Sequence, residues 1–471
     1  MISLKICDRD TAMNKFKPIN RDTPYLLPPS LQDWLPQDHL ARFVVDIVDR
    51  LDLSALSGKY RGRGSEAYHP ALLLSLLVYG YATGVYSSRR LQQATFDSVA
   101  FRYIAADQHP DHDTLNTFRQ RFLPQLQALF VQVLVLAREL KVLHLGKISL
   151  DGTKVQANAS KHSALSYGHA LKQEEQLRAD VAELFRLAED ADAAEIPTGM
   201  NVPEELARRE QRLQAIEAAK AKIEARAHER FEQEQAQHQQ KMAQRQAREQ
   251  QTGKKTSGPA PTPPQAGPAD ADQINLTDAE SRILPTSGGG FVQGYNAQIA
   301  VDVDSLLIVG QGVVQAANDR QQVKPMLEQL QTLPSAVGRI DTLIADTGYF
   351  STTNVDACVQ AGIEPLIATG REAHHRSLWA HEVPAESEPA TNVTKMRRRL
   401  RSKEGRALYA KRKCTVEPVI GIIKSVMRFR QFLLRGLHQV QGEWNLVTMA
   451  WNIKRMFVLM QMKKEPQVQT A

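Results

Sequence analysis

The stretch Leu343-Ile344-Ala345-Asp346-Thr347-Gly348-Tyr349 constrains the fold more than any other part of the chain. Three apolar residues run into a carboxylate, and Thr347-Gly348 then stops the run. That pattern predicts a buried parallel strand ending in an acid at its carboxyl edge, where open α/β sheets place their sites. Ile148-Ser149-Leu150-Asp151-Gly152 has the same form, and Glu417 in Thr415-Val416-Glu417-Pro418 opens an apolar, basic helix. On that helix Glu417, Gly421 and Lys424 fall at i, i+4 and i+7, on one face. Pro418 is expected in the first turn, behind a cap at Thr415. Two strand-end aspartates and a helix glutamate, distant in sequence, can converge on a pair of Mg²⁺ ions, which prefer hard oxygen ligands and serve phosphodiester chemistry. Asp302, Asp304, Asp319 and Asp341 meet the same spacing, and spacing does not choose among them.

The order of elements carries the argument further. From His39 to about Val142 the apolar spacing is helical. Pro70 opens one helix and Gly84 ends it. Ser87 and Ser88 are expected caps for a helix with Arg89 and Arg90 in its first turn, and Asp113 or Thr114 caps the run through Phe118 and Phe122. A helix, a short turn and a second helix bearing Arg89 and Arg90 can read DNA, although a plain helical bundle has the same spacing. Residues 171–250 are rich in Ala, Glu, Gln, Arg and Lys. Leu177, Val181 and Leu184 mark one seam; Leu213, Ile216 and Ile223 mark a second, with Lys220 intruding. Pro- and Gly-rich residues 251–272 read as a flexible linker. The period then changes to two for strands at Val292–Asp302 and Ser305–Val314. A helix capped by Asn318 or Asp319, the Asp346 strand, a helix to Ala361, a strand at Ile363–Ala368 and helices at 415–428 and Trp444–Met460 complete the chain. This is the chain order of an α/β, ribonuclease-H-like mixed sheet core, with a helical N-terminal domain and a helical, coiled-coil-like insertion between the first two strands. The expected divisions are an extended arm (1–38), the helical domain (39–142), the first part of the core (143–170), the insertion (171–250), the linker (251–272) and the rest of the core (273–462).

Charge points to a polyanion. The net charge is only +7, but Lys and Arg crowd residues 395–435, a density that suits nucleic acid. Three cysteines without a C-x-x-C pair argue against a disulfide framework or a zinc site and fit a reducing cytosol. The most apolar run, Ala71–Val85, is too short to span a bilayer, so no membrane is expected as a partner.

Four blocks carry a family resemblance: Leu150-Asp151-Gly152-Thr153-Lys154, Gly294-Tyr295-Asn296-Ala297-Gln298, Ala345-Asp346-Thr347-Gly348-Tyr349, and Tyr409 to Lys424. Together and in this order they resemble a DDE transposase of bacterial insertion sequences. The resemblance implies that Asp151, Asp346 and Glu417 are the catalytic, metal-binding triad, with two Mg²⁺ ions or Mn²⁺ in their place. It further implies double-stranded DNA as partner, both the element ends and the target, with Lys154, Tyr349, Tyr409, Arg412, Lys413, Lys424, Arg89 and Arg90 as contacts. The family's Tyr, Arg, Glu, Lys signature is kept in order by Tyr409, Arg412, Glu417 and Lys424, although the Arg412-to-Glu417 gap is one residue longer than the pattern. The expected activity is binding of terminal inverted repeats, strand cleavage and strand transfer, in a homodimer or larger synaptic complex, in a cytoplasmic, nucleoid-associated setting. A ribonuclease-H-fold DNA nuclease that does not join ends and a catalytically inactive DNA-binding remnant are the alternatives.

Overall fold

The computed structural model describes residues 30–60, 67–190, 202–253, 255–256, 258–286, 288–370 and 391–464. Most of the expected arm, including Cys7, lies outside the described residues. Six helices lead the chain: α1 (Leu40–Val48), α2 (Ser54–Ser57), α3 (Pro70–Thr83), α4 (Ser88–Asp97), α5 (Val99–Ile104) and α6 (His112–Glu139). Pro70 is at the start of α3, where its missing N–H costs nothing, and Gly84 ends it with φ +85°. The cap of α6 is Asp111, whose carboxylate accepts the Thr114 N–H at 2.7 Å, so neither Asp113 nor Thr114 has that role. Ser87 occupies the cap position of α4 without a side-chain bond.

The core follows as β1 (Leu145–Gln156), β2 (Ala164–Ser166), α7 (Tyr167–Asp190), α8 (Val202–Thr252), β3 (Gln273–Asn275), β4 (Arg282–Pro285), β5 (Phe291–Asp302), β6 (Ile308–Val314) and α9 (Val323–Gln331). Then come β7 (Gly338–Ala345), α10 (Thr352–Gln360), β8 (Glu364–Ile367), α11 (Asn392–Arg401), α12 (Lys403–Ser425) and α13 (Leu437–Lys464). The main sheet runs β5-β1-β7-β8, with β6 and β4 sharing the outer side of β5. Strands β1, β7 and β8 are parallel, whereas β5 is antiparallel to β1. This mixed sheet with helices packed on it is the expected ribonuclease-H-like arrangement.

Two expectations about local structure change. Asp151 was expected at a strand end, yet β1 continues to Gln156 because β5 goes on pairing with it from Ile299 to Gly294. The parallel neighbour does stop: Leu150↔Ala345 is the last pair between β1 and β7. Helix α12 begins at Lys403 behind the Ser402 cap, not at Thr415. Lys and Arg are good helix formers, and so the basic segment is helical. Thr415 is buried, with its hydroxyl on the Lys411 carbonyl, and Pro418 lies inside the helix.

The insertion leaves and returns through the antiparallel β2–β3 clamp. Its helices pair as a hairpin whose seam is used internally: Ile216, Ala219 and Ile223 pack with Leu165, Ala170 and Ile274. Lys220 fits this seam because its ammonium pairs with Glu174. Residues 258–261 return beside α8, where Arg245 donates to the carbonyls of Thr256, Gly258 and Pro259.

The amino-terminal helices share one continuous buried core with the sheet. Helix α13 makes the connection, touching α3 and α6 on one side and β6 on the other. It also satisfies the outer edge of β6. The Asn452 amide accepts from the Ile308 N–H and donates to its carbonyl, both at 2.8 Å, and the Gln441 side chain accepts from the Val313 N–H at 2.7 Å. An open strand edge is thereby covered.

Candidate active site

Two of the acids meet where β7 ends beside β1. One residue beyond the last pair of these strands stand Asp151 and Asp346, side by side. Asp346 caps a short turn, accepting the Gly348 N–H at 2.8 Å, and Asp151 accepts the N–H of Gly152 at 2.8 Å. Glu417 comes from α12, which lies across β1. Arg412, five residues earlier on that helix, donates to Asp151 at 3.3 Å and to Glu417 at 3.0 Å. Its guanidinium therefore joins two of the three acids.

Burial pushes the Asp151 carboxyl up to about 6 from its ordinary 3.8, opposed by the Gly152 N–H and reinforced by Asp346. Ionising a half-dry carboxyl beside another acid is unfavourable without a cation. Arg412 supplies some of that charge here. Among the described residues, no group of three His, Cys, Asp or Glu side chains is already gathered to hold a metal ion. The donor chemistry nevertheless suits a hard divalent cation. All three groups are carboxylates, two stand side by side on adjacent strands, and Arg412 links the third to Asp151.

The expected DNA contacts divide by burial. Lys154 and Lys424 are half-buried, and the Lys424 ammonium donates to the Lys154 carbonyl at 2.8 Å, pinning α12 to β1. Burial lowers both amines, and Lys154 lowers Lys424 further. Lys413 is exposed on α12, and Arg89 and Arg90 are exposed on α4. Tyr409 packs with Leu400 and Leu408 over Ile344 and Leu366, on the sheet. Tyr349 needs correction as a DNA contact: it is fully buried, and its hydroxyl donates to Gln298. A buried ring below the acids has no surface to offer a duplex. Arg412 likewise faces carboxylates in this conformation.

Sequence reasoning missed a polar floor under the acids. The amides of Asn296 and Gln298, on β5, both donate to Asp319 at 2.7 Å, and Gln298 accepts from Tyr349. Asp319 was expected to cap a helix, but α9 starts only at Val323 with no side-chain cap. The alternation Asn296-Ala297-Gln298 within an apolar strand was the available signal, since buried amides need partners. Gly152 is fitted to this floor. A Cβ there would lie 2.3 Å from Gln298 Nε2 and 2.7 Å from Asp319 Oδ1.

Carboxylates at the carboxyl edge of a ribonuclease-H-like sheet, beside a basic helix, define a polynucleotide-processing class of core. Residues 261–453 match the family model described as a transposase DDE domain, and residues 29–121 match a second model described as a transposase domain. The two matches support a DDE transposase of an insertion sequence. Strand β1, with Asp151, lies outside both matched ranges, so the sheet register is what sets it next to Asp346. No curated protein and no solved structure matches the chain. Among the described residues no single helix is long and apolar enough to cross a membrane.

Proposed function

We propose that this transposase binds the terminal inverted repeats of its own element, cuts there and joins the freed 3′-OH to target DNA, using Asp151, Asp346 and Glu417. The observation that carries the reading is the placement of Asp151 and Asp346 side by side on adjacent strands, where β7 ends, with Glu417 tied to Asp151 through Arg412. The three carboxylates would hold two Mg²⁺ ions, or Mn²⁺, whose chemistry when bound is activation of the attacking hydroxyl and stabilisation of the leaving oxygen. Lys424, held on the Lys154 carbonyl three residues beyond Asp151 on β1, offers its ammonium to a phosphate. Arg412 neutralises Asp151 and Glu417 in the free protein and turns to the DNA backbone when cation charge replaces it. Asp319 positions the floor by fixing both β5 amides.

The exposed arginines of α4 would enter the major groove, while α11 and α12 grip phosphates, making affinity fall steeply with salt. Pairing two element ends requires at least two copies. The hairpin of α7 and α8 closes its seam on itself and on the β2–β3 clamp, and Leu171 and Phe185 remain exposed on α7. A cytoplasmic, nucleoid-associated setting follows from a genomic DNA substrate.

The test is Mg²⁺- or Mn²⁺-dependent cleavage of DNA carrying the gene's own flanking sequences, with Asp346→Asn alongside. Cleavage at the flanks that the variant loses is the expected result, and a precut 3′-OH end should give joined product. Equal cleavage by wild type and variant would remove Asp346 from the chemistry. Cleavage without joining would favour a nuclease.

A further inference from the structure

The insertion hairpin meets the core at the β2–β3 clamp, and a cavity of about 740 Å³ lies between α8 and β4. One arginine enters from each side. Arg226, on α8, donates from Nη2 to the Ala279 carbonyl at 2.6 Å. Arg282, which opens β4, donates from Nη1 to the same carbonyl at 3.1 Å and to the carbonyls of Glu280 and Ser281 at 3.0 Å. Two guanidinium groups thus share one acceptor. Among the described residues neither forms a salt bridge, and the buried Nη1 of Arg226 has no hydrogen-bond partner. Lys222 and Arg230 also line the cavity.

The nearby acids are engaged elsewhere. Asp272 pairs with Arg230 through both oxygens at 2.8 Å. Asp278 accepts from the Tyr295 hydroxyl and the Gly436 N–H, and Glu280 accepts from the Leu437 N–H at 2.7 Å. Glu229 also lines the cavity. Burial first, and the Arg226 charge second, push the Arg282 guanidinium down to about 10. Glu280 and Asp278 oppose that shift without pairing directly with Arg282; partly desolvated cations that no carboxylate contacts are unfavourable, and the arginine fork matches phosphate oxygens in pairs.

The cavity's position limits what can fill it. Arg282 pairs with Gly294, and Gly294 with Gln156, five residues beyond Asp151 on β1. At ~3.3 Å per residue along the strand and ~4.8 Å across each of two strands, the cavity is about 20 Å from Asp151, toward the same end of the sheet. A DNA strand rising ~3.4 Å per nucleotide covers that distance in about six nucleotides.

We propose that the Arg226–Arg282 cavity is a second DNA-backbone site, where a phosphate of the duplex engaged at the carboxylates lodges between the insertion hairpin and β4. The proposal rests on the transposase reading and gives the insertion a part in holding the element end. Its test uses full-length protein and fluorescence anisotropy with a labelled duplex of the flanking sequence, across a series of KCl concentrations. Arg226→Gln with Arg282→Gln should bind about tenfold more weakly, with a salt slope shallower by about 0.9 for one lost phosphate contact. Arg226→Gln alone should show the same change in part, and it keeps the test open if the Arg282 change impairs folding. If wild type fails to bind the duplex even at low salt, the transposase reading fails and this one with it. If wild type binds and Arg226→Gln keeps its affinity and slope, the second site alone is overturned. Inorganic phosphate that raises the Tm of wild type but not of Arg226→Gln, with the DNA slope unchanged, would make the cavity a small-anion site and likewise overturn the proposal.

Discussion

Replacing Asp151 with Asn should make the metal-free protein more stable while abolishing cleavage. Its carboxyl is raised by burial from 3.8 to about 6, and the side chain is 19% exposed. A folded-state value above the unfolded one means that the folded protein holds this proton more tightly. The contribution to stability is therefore fully present below about pH 4 and is lost as pH rises through about 6. At 1.36 kcal/mol per pH unit, keeping the group ionised at pH 8 costs about 3 kcal/mol. Asn still accepts the Gly152 N–H but turns an amide toward Arg412, which offsets about 1 kcal/mol of the gain. The net expectation is a stabilisation of about 2 kcal/mol at pH 8, read as a higher urea midpoint at unchanged slope in the presence of EDTA. At pH 4 the two proteins should unfold together. Saturating Mg²⁺ should reverse the order, because an ion held at 100 times its Kd stabilises wild type by ~2.7 kcal/mol and the variant has lost a ligand. An Asp151→Asn protein less stable than wild type at pH 8 without metal would refute the argument, as would a difference that persists unchanged at pH 4.

Three more outcomes follow from particular contacts. Arg412→Gln leaves Asp151 and Glu417 uncompensated, so Tm in EDTA should fall while the Mg²⁺ concentration that restores it drops several-fold; a higher requirement would show that Arg412 does not compete with the cation. Gly152→Ala drives a Cβ into Gln298 and Asp319, costing about 1–3 kcal/mol from overpacking and most of the cleavage rate, whereas wild-type cleavage would mean that the floor is not fixed. The fully buried Glu443 accepts from the Tyr81 hydroxyl at 2.7 Å and from the N–H groups of Leu433 and Leu434, while Arg119 donates to the same tyrosine at 3.2 Å. Glu443→Ala breaks this link between the amino-terminal helices and α13 and should cost about 3–5 kcal/mol, with Glu443→Gln less damaging; a urea midpoint within error of wild type would sink that account.

The local pattern of the sequence carried a good deal of this. Apolar runs ending in Asp151 and Asp346 marked two strands because buried parallel strands need continuous apolar residues, and the shift in period marked where the sheet resumes after the insertion. The polarity of 171–250 and its two seams marked a helical hairpin. Local pattern could not say that β1 continues past Asp151, because β5 supplies the hydrogen bonds that extend it. Nor could it show that Tyr349 points down. That follows from the Gln298 partner fifty-one residues earlier, which only the folded sheet brings near. Asp319 was visible as one acid among several, and its place was set by two amides on β5. The same holds for Arg412 between Asp151 and Glu417, and for Arg226 beside Arg282. Periodicity reports which face of an element is buried. Which charges share that burial depends on long-range packing, and tertiary structure alone decided it.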